Sequence, residues 1–498
     1  MFPKNHQIPH LKLYGKWVTE GFVKERRSQT VEQVAVEILT ELIERNLVQS
    51  WEGSNGPKYC QVHDLMHEII LSKATDLGFS EILDEKSSSI KVKTRRLSIC
   101  SNKRDISEAV KDSGVRSILF HNVGNLTSSV LVAMFEKFKL LKVFDFENAD
   151  LDYLPEELGN LFHLSYLSLL NTKVKMLPKS TGKLQNLKIL DIRNTLVHKL
   201  PMEINKLRSL RHLLANSRDE TVHDTLVNVH GVTICEGIGN LEDLQTLLTV
   251  EASPERVGII KEFEKLTQLR FLAISKLTAD IGRLVCTAIE KMNYLESLAL
   301  HSIDNDEILD LQLTSPPRLL GNLVVESRIQ LLPDWIPKLQ CLRSLSLSLS
   351  RLTDDPLKCL HRLPNLERLW LYKAYEGKQL HFEESGFRKL KRVSLRELEG
   401  LEVVTIGKGA LPLLEHLDLG PSQLLKELPS DVQHLKSLTS LKLYDMPKQF
   451  VFDLQPEGGQ DHWKVKNIPY VCFIYRVEVQ RYQVYKLGDS SLLEHLQH

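Results

Sequence analysis

Adding 23 to the residue numbers of Leu141, Phe144, Phe146, Asn148, Leu151, Leu154 and Pro155 lands on Leu164, Leu167, Leu169, Asn171, Val174, Leu177 and Pro178. Adding 23 again lands on Leu187, Leu190, Ile192, Asn194, Val197, Leu200 and Pro201. A second register, of period 24, joins Leu342, Leu345 and Leu347 to Leu366, Leu369 and Leu371, then to Leu390, Val393 and Leu395. It continues through Leu414, Leu417 and Leu419 to Leu438, Leu441 and Leu443. In each copy the LxxLxL core predicts a short strand whose alternate side chains point inward, and the LP-containing half predicts a turn and a second packing layer. No single copy can bury its own apolar face, so the copies must stack.

The pattern is that of a leucine-rich repeat, and the predicted fold is an α/β solenoid with a curved parallel sheet and an irregular or helical convex side. Weaker copies fall near residues 97–99, 115–120, 244–247, 269–274, 295–300 and 320–325. At roughly 20 to 29 residues each, the total is about fourteen or fifteen repeats. Residues 216–239 break the period, are rich in Asp, Thr, His and Val, and are predicted to loop out.

The first 85 residues have a different texture. Thr30 and Gln33 form a capping box ahead of Val31, Val34, Ala35, Ile38, Leu39, Leu42 and Ile43, whose spacing predicts an amphipathic helix. A further helix is expected near 11–22, and a hairpin over 47–64 around a Gly-Ser-Asn-Gly-Pro turn. Asp64 is expected to cap a helix carrying Leu65, Ile69 and Ile70. Helix, helix, hairpin is the order of a small α+β winged-helix module. The domain reading is therefore 1–85 winged helix, 86–93 polar linker, 94–457 solenoid and 458–498 a C-terminal cap.

Composition narrows the function classes. Lys plus Arg and Asp plus Glu both number 64, so no general field favours nucleic acid or an anionic membrane. Seven cysteines, scattered and without a CxxC pair, fit buried thiols in a reducing compartment, and the chain is read as cytoplasmic. No stretch reaches the roughly 18 apolar residues that a membrane span needs. The triplet Asn125-Leu126-Thr127 is of glycosylation type but stands alone as an argument for secretion.

Sites for chemistry are sparse. His63 and His67, like His6 and His10, have the spacing of a zinc-binding helix, but Asp64 stands where a metalloprotease needs Glu and a third ligand is lacking. No metal site, no nucleophile elbow and no catalytic residue is assigned, and the chain is read as a non-enzyme. The stronger signal lies on the repeat strands, where residues flanking the inward leucines face the concave side. In the late repeats these are Arg368, Trp370 and Tyr372, then Arg392, Ser394 and Arg396, then His416, Asp418 and Gly420, then Ser440, Lys442 and Tyr444. Trp, Tyr and Arg are the types that dominate protein-binding hot spots, so this face is the candidate partner-binding surface. Any solenoid surface must be covered by some residues, and Ser344, Ser346 and Ser348 are featureless.

Several segments together resemble one family. FPKNHQIP, LYGKWVTEGFV, TVEQVAVEILTELIERNLVQ and VHDLMHEIILSKA resemble the winged-helix end of the NB-ARC module of plant NLR disease-resistance proteins. TRRLSI, the repeats themselves and DHWKVKNIP look like the remainder of such a receptor. The resemblance implies a role in plant innate immunity, in which the repeats recognise a pathogen effector or a guarded host protein and restrain a nucleotide switch. It also places His63 and Asp64, in a Val-His-Asp triplet where the family has Met-His-Asp, at a nucleotide-sensor motif whose His holds the diphosphate of ADP. That role requires the nucleotide-binding module. No G-x-x-x-x-G-K-[ST] loop occurs in this sequence, and Gly407-Lys408-Gly409 and Gly182-Lys183 lack the spacing. No cofactor is therefore assigned to this chain itself, with ADP or ATP expected in a full-length receptor. Partners are expected to be proteins, including the intramolecular nucleotide-binding domain. The alternative is a truncated, non-signalling scaffold or decoy without a switch.

Overall fold

The computed structural model describes residues 2, 6–26, 29–52, 58–83, 94–100, 114–121, 123–124, 126–217, 231–252, 257–478 and 481–497. They fall into two compact units, one of the described residues up to 217 with 231–248, the other of those from 249 onward. The linker expected at 86–93 and Asn125 lie outside the described residues.

The first unit begins with strand β1 (Ile8–Pro9), helix α1 (His10–Glu20), helix α2 (Val31–Glu44), strands β2 (Val48–Glu52) and β3 (Lys58–Val62), and helix α3 (Asp64–Asp76). The strands form an antiparallel sheet in the order β1-β3-β2. Both halves of the capping box are made: Thr30 Oγ1 accepts from the Gln33 amide at 3.3 Å, and Gln33 Oε1 accepts from the Thr30 amide at 2.9 Å. Val34, Ala35 and Leu39 of α2 are buried against Tyr14, Trp17 and Cys60. Helix α3 differs from expectation. Its cap is His63, whose ring accepts from the Leu65 amide, while Asp64 is the first helical residue and complements the exposed N–H groups by charge. Leu65, Ile69 and Ile70 are exposed, Leu65 at 68%.

The repeats of this unit form a parallel ladder. It runs through Glu81–Leu83, Arg96–Ile99, Ser117–Phe120, Val143–Asp145, Tyr166–Ser168, Ile189–Thr195 and His212–Ser217. The sheet thus starts at 81, inside the stretch read as winged helix, because a three-residue strand between polar segments carries no periodic signal. The 23-residue period becomes hydrogen-bond register: Val143 pairs with Tyr166, Tyr166 with Ile189 and Ile189 with His212. The inward Phe144, Leu167, Leu190 and Leu213 are fully buried. Asn148, Asn171 and Asn194 occupy the left-handed region, with φ near 59°, 58° and 55°, which Asn tolerates better than most side chains. Their amides form a ladder of 2.8 Å hydrogen bonds from one repeat to the next. Pro155, Pro178 and Pro201 each introduce a short 3-10 turn on the convex side.

The predicted excursion at 216–239 is narrower than expected. Asn216 and Ser217 remain in the ladder, and Thr233 donates to the His198 carbonyl at 2.8 Å, so backbone pairing holds both ends. Residues 218–230 lie outside the described residues.

The second unit repeats the architecture through Phe271–Leu277, Ser297–Ser302, Asn322–Glu326, Ser344–Ser348, Arg368–Tyr372, Arg392–Arg396, His416–Leu419 and Ser440–Tyr444. The period of 24 again appears as register, with Ser344, Arg368, Arg392, His416 and Ser440 paired in turn. Tyr470–Glu478 adds a further parallel strand, and Arg481–Lys486 pairs with it in the antiparallel sense. Helices such as Ala279–Ile289 replace the 3-10 turns in some repeats, and Gln379–Phe382 pairs with Val403–Ile406 in a separate two-stranded ribbon.

Candidate functional site: two concave surfaces

In the first unit the concave face is covered by the winged helix. Parallel register aligns outward side chains into columns, one containing Arg96, Ser117, Val143, Tyr166 and Ile189, the next Ser98, Leu119, Asp145, Ser168 and Asp191. Leu119, Val143, Tyr166 and Ile189 form a buried cluster against which Phe2 packs. Helix α1 lies over these strands. A Cβ on Gly15 would stand 2.8 Å from Ile189 Cδ1 and 3.5 Å from Tyr166 Cε2, so helix and sheet approach closely here, with space for no more than a small side chain.

Lys12 and Lys16, one helical turn apart on α1, both converge on Asp145. Lys16 Nζ lies 2.5 Å and Lys12 Nζ 2.8 Å from Asp145 Oδ2, and Lys12 also pairs with Glu147. Asp145 is 1% exposed and both lysines 6%. Burial opposes the carboxylate charge, but the two ammonium groups outweigh it and hold Asp145 well below the usual carboxylate range. Burial, with the repulsion of Lys12, pushes Lys16 down to about 7 despite Asp145. Glu20 and Tyr166 also face this centre, as do His6 and His121, which lie edge to face at 5.4 Å. Burial and the neighbouring lysines lower the two histidines to about 4 and about 3.

Two further ion pairs tie the module down. Glu20, at the end of α1, accepts from Arg96 at 2.7 Å and from the Ser117 hydroxyl at 2.5 Å. Glu32, in the first turn of α2, accepts from Arg211 at 3.2 Å. Burial would raise the Glu32 carboxyl, but His212, 3.8 Å away, and the Arg211 charge hold it near 2.

The late concave face, in the second unit, carries the residues predicted to bind a partner. Register sets Arg368, Arg392 and His416 in one column on successive strands, Trp370, Ser394, Asp418 and Lys442 in the next, and Tyr372 beside Arg396. Arg368, Trp370, Tyr372, Arg392, Arg396, His416, Asp418, Lys442 and Tyr444 are half-buried, while Ser394 is buried. The Arg396 guanidinium stacks on Tyr444 at 3.7 Å from the ring centre, and Arg368 lies over Trp370 at 5.9 Å. Burial raises the Asp418 carboxyl and lowers His416.

His67 Nε2 contacts the Phe2 carbonyl at 2.9 Å, His6 stacks on the Phe2 ring, and His10 contacts Tyr14 and Ser50. His63 is exposed at the start of α3 beside half-buried Asp64. Among the described residues, no helix is long and apolar enough to cross a membrane.

Family matches follow the two modules. Residues 1–70 match the disease resistance protein winged helix domain, and 114–446 match the leucine-rich repeat region. The chain belongs to the plant disease-resistance protein family. Disease resistance protein RPM1 of Arabidopsis thaliana is 32% identical over 96% of this chain and 52% of its own length. Disease resistance protein RPP8 of the same plant is 29% identical over 95% of this chain and 52% of its own length. The chain thus spans about half the length of these relatives. A Leptospira interrogans leucine-rich-repeat protein of known structure is 19% identical over 80% of this chain and 97% of its own, with a TM-score of 0.47. Within this disease-resistance family member, Lys12, Lys16, Glu20, Asp145 and Arg211 were not singled out from sequence. The available signal was Val143, Tyr166 and Ile189, apolar residues at outward strand positions where a wet face would carry polar ones.

Proposed function

We propose that this chain is the recognition and restraint portion of a plant immune receptor acting in the cytoplasm, with no catalytic role of its own. The late repeats recognise a pathogen effector or a guarded host protein. The early repeats hold the winged helix, and through it restrain the nucleotide switch of the full receptor. The observation that carries this reading is the buried centre of Lys12, Lys16 and Asp145 between α1 and the concave sheet. Buried pairs of this kind tolerate loss of one partner poorly, so they make a two-state latch rather than a graded contact. A ligand that favours the released form would shift the population.

Two features support a larger assembly. The exposed Leu65, Ile69 and Leu77 form apolar surface along and just beyond α3, of the kind a neighbouring module covers. His63 is exposed at that helix start, where it could reach the diphosphate of ADP supplied by the nucleotide-binding module. The test is to express the chain in leaf tissue behind such a module. Asp145→Lys is expected to give cell death without a pathogen, and Lys12→Glu with Lys16→Glu in the same chain to restore quiescence. Quiescence of Asp145→Lys at wild-type protein level would overturn the restraint.

A further inference from the structure

The two concave faces differ in how their charges are satisfied. On the early face the cations and anions are paired: Lys12 and Lys16 with Asp145, Arg96 with Glu20, Arg193 with Asp191. On the late face Arg392, Arg396 and Lys442 form no ion pair among the described residues, and Asp418 is the one acid at the outward positions of strands Arg368–Tyr372, Arg392–Arg396, His416–Leu419 and Ser440–Tyr444. Glu326, farther along the column of Tyr372 and Arg396, already lies 3.0 Å from His301. The Nε of Arg396 is buried without a hydrogen-bond partner among the described residues. Stacking on Tyr444 holds that guanidinium flat, which fixes the directions of its donors before any partner arrives.

The spacing adds a constraint. Arg368 and Arg392 are register partners on neighbouring strands, about 4.8 Å apart. Arg392 and Arg396 stand four residues apart on one strand, about 13 Å. Trp370 lies between Ser346 and Ser394, so a broad aromatic face adjoins the cations with small side chains on both flanks. The early face shows how such a surface is filled: an acidic column receives a segment bearing two lysines and an apolar contact at Phe2. The late face has the opposite sign.

We propose that the late concave face binds an acidic segment of a partner protein, with carboxylates on Arg392, Arg396 and Lys442 and an apolar side chain on Trp370. This rests on the reading that the late repeats recognise a protein, and gives that protein's contact a chemistry. Carboxylates supply the acceptors that the guanidinium forks match, and charge complementarity steers the encounter.

The test uses the full chain and three fluorescein-labelled short peptides of one apolar pattern, with Glu, Gln or Lys at the polar positions. The Glu peptide is expected to bind at least about tenfold more tightly than the Gln peptide in low salt, and to weaken as salt screens the charges. Arg392→Glu with Arg396→Glu should remove that preference, as should the milder Arg392→Gln with Arg396→Gln if the reversal impairs folding. Trp370→Ala should weaken binding several-fold, and Lys436→Glu, on an exposed turn, should leave it unchanged. Equal binding of the Glu and Gln peptides, or indifference to both arginine pairs, overturns the proposal. So does tripolyphosphate that binds as tightly as the peptide and is insensitive to Trp370→Ala, which marks a small-anion site instead. If the acidic preference fails while Trp370→Ala with Tyr372→Ala still abolishes the leaf response to a recognised pathogen, the recognition reading stands and this chemistry falls. If that response survives as well, both fall.

Discussion

Lys16 Nζ and Asp145 Oδ2 lie 2.5 Å apart across 129 residues of chain, joining the first helix of the winged-helix module to a repeat strand. Both are nearly excluded from solvent, and Asp145 is shared with Lys12. Removing the carboxylate therefore strands positive charge in a buried site. Asp145→Asn is expected to cost about 3 to 5 kcal/mol, read as a lowered urea midpoint and faster amide exchange in residues 8–20. Lys16→Met should cost far less, since Lys12 still pairs with Asp145 and an apolar side chain suits the Phe2 contact.

Acid should loosen the same unit, and each sign agrees. His6 and His121 titrate near 4 and 3 when folded, against about 6.5 when unfolded. Below about pH 6.5 the unfolded chain therefore binds more protons, and stability falls with the pH. Lys16, at about 7 folded against 10.5 unfolded, makes stability rise with pH between those values. Glu32, held near 2, contributes stability that is present above about 4.5 and lost as the pH falls through 2. The urea midpoint is expected to decline steadily from pH 9 to about pH 4. Replacing both histidines by Gln should flatten the part below about pH 6.5.

Gly15 gives a steric test. Its added Cβ would meet the end of the Ile189 side chain, which can move, so Gly15→Ala should be nearly neutral after the gain in helix propensity. Gly15→Leu cannot be absorbed in this way. It should raise amide exchange across α1 and leave α2, held by its own capping box, close to wild type.

The asparagine ladder predicts a repeat-specific cost. Asn171 both adopts a positive φ and bridges Asn148 to Asn194. Asn171→Ala should lose about 1 to 3 kcal/mol by equilibrium unfolding. Asn171→Gly should lose less, because glycine accepts the backbone angle and sacrifices the two hydrogen bonds alone.

The legible parts of this protein were those written as periods. Residues 23 or 24 apart in sequence became hydrogen-bonded partners, and even the weak copies near 97–99 and 320–325 lie on strands. Thr30 and Gln33 announced their helix by local chemistry alone. What stayed hidden depended on long-range pairing. No local pattern in the sequence marks Lys12, Lys16 or Asp145 as partners; they meet through the fold. The helix carrying Leu65, Ile69 and Ile70 was legible, but that these three side chains lie exposed was not, because periodicity reports only that a face is apolar. Among the late-face residues, the sequence placed Arg368, Trp370 and Arg396 on one surface, but could not show that Arg396 would stack on Tyr444.

The central claim is that the winged helix is held on the early concave face by the buried Lys16 and Asp145 pair, and a double-mutant cycle measures it most directly. Lys16→Met, Asp145→Leu and the double variant would be compared with the unaltered chain by urea unfolding. The account predicts a coupling energy of about 2 kcal/mol or more, with the double variant more stable than Asp145→Leu alone. Simple addition of the two single effects would show that the residues do not interact, and would contradict it.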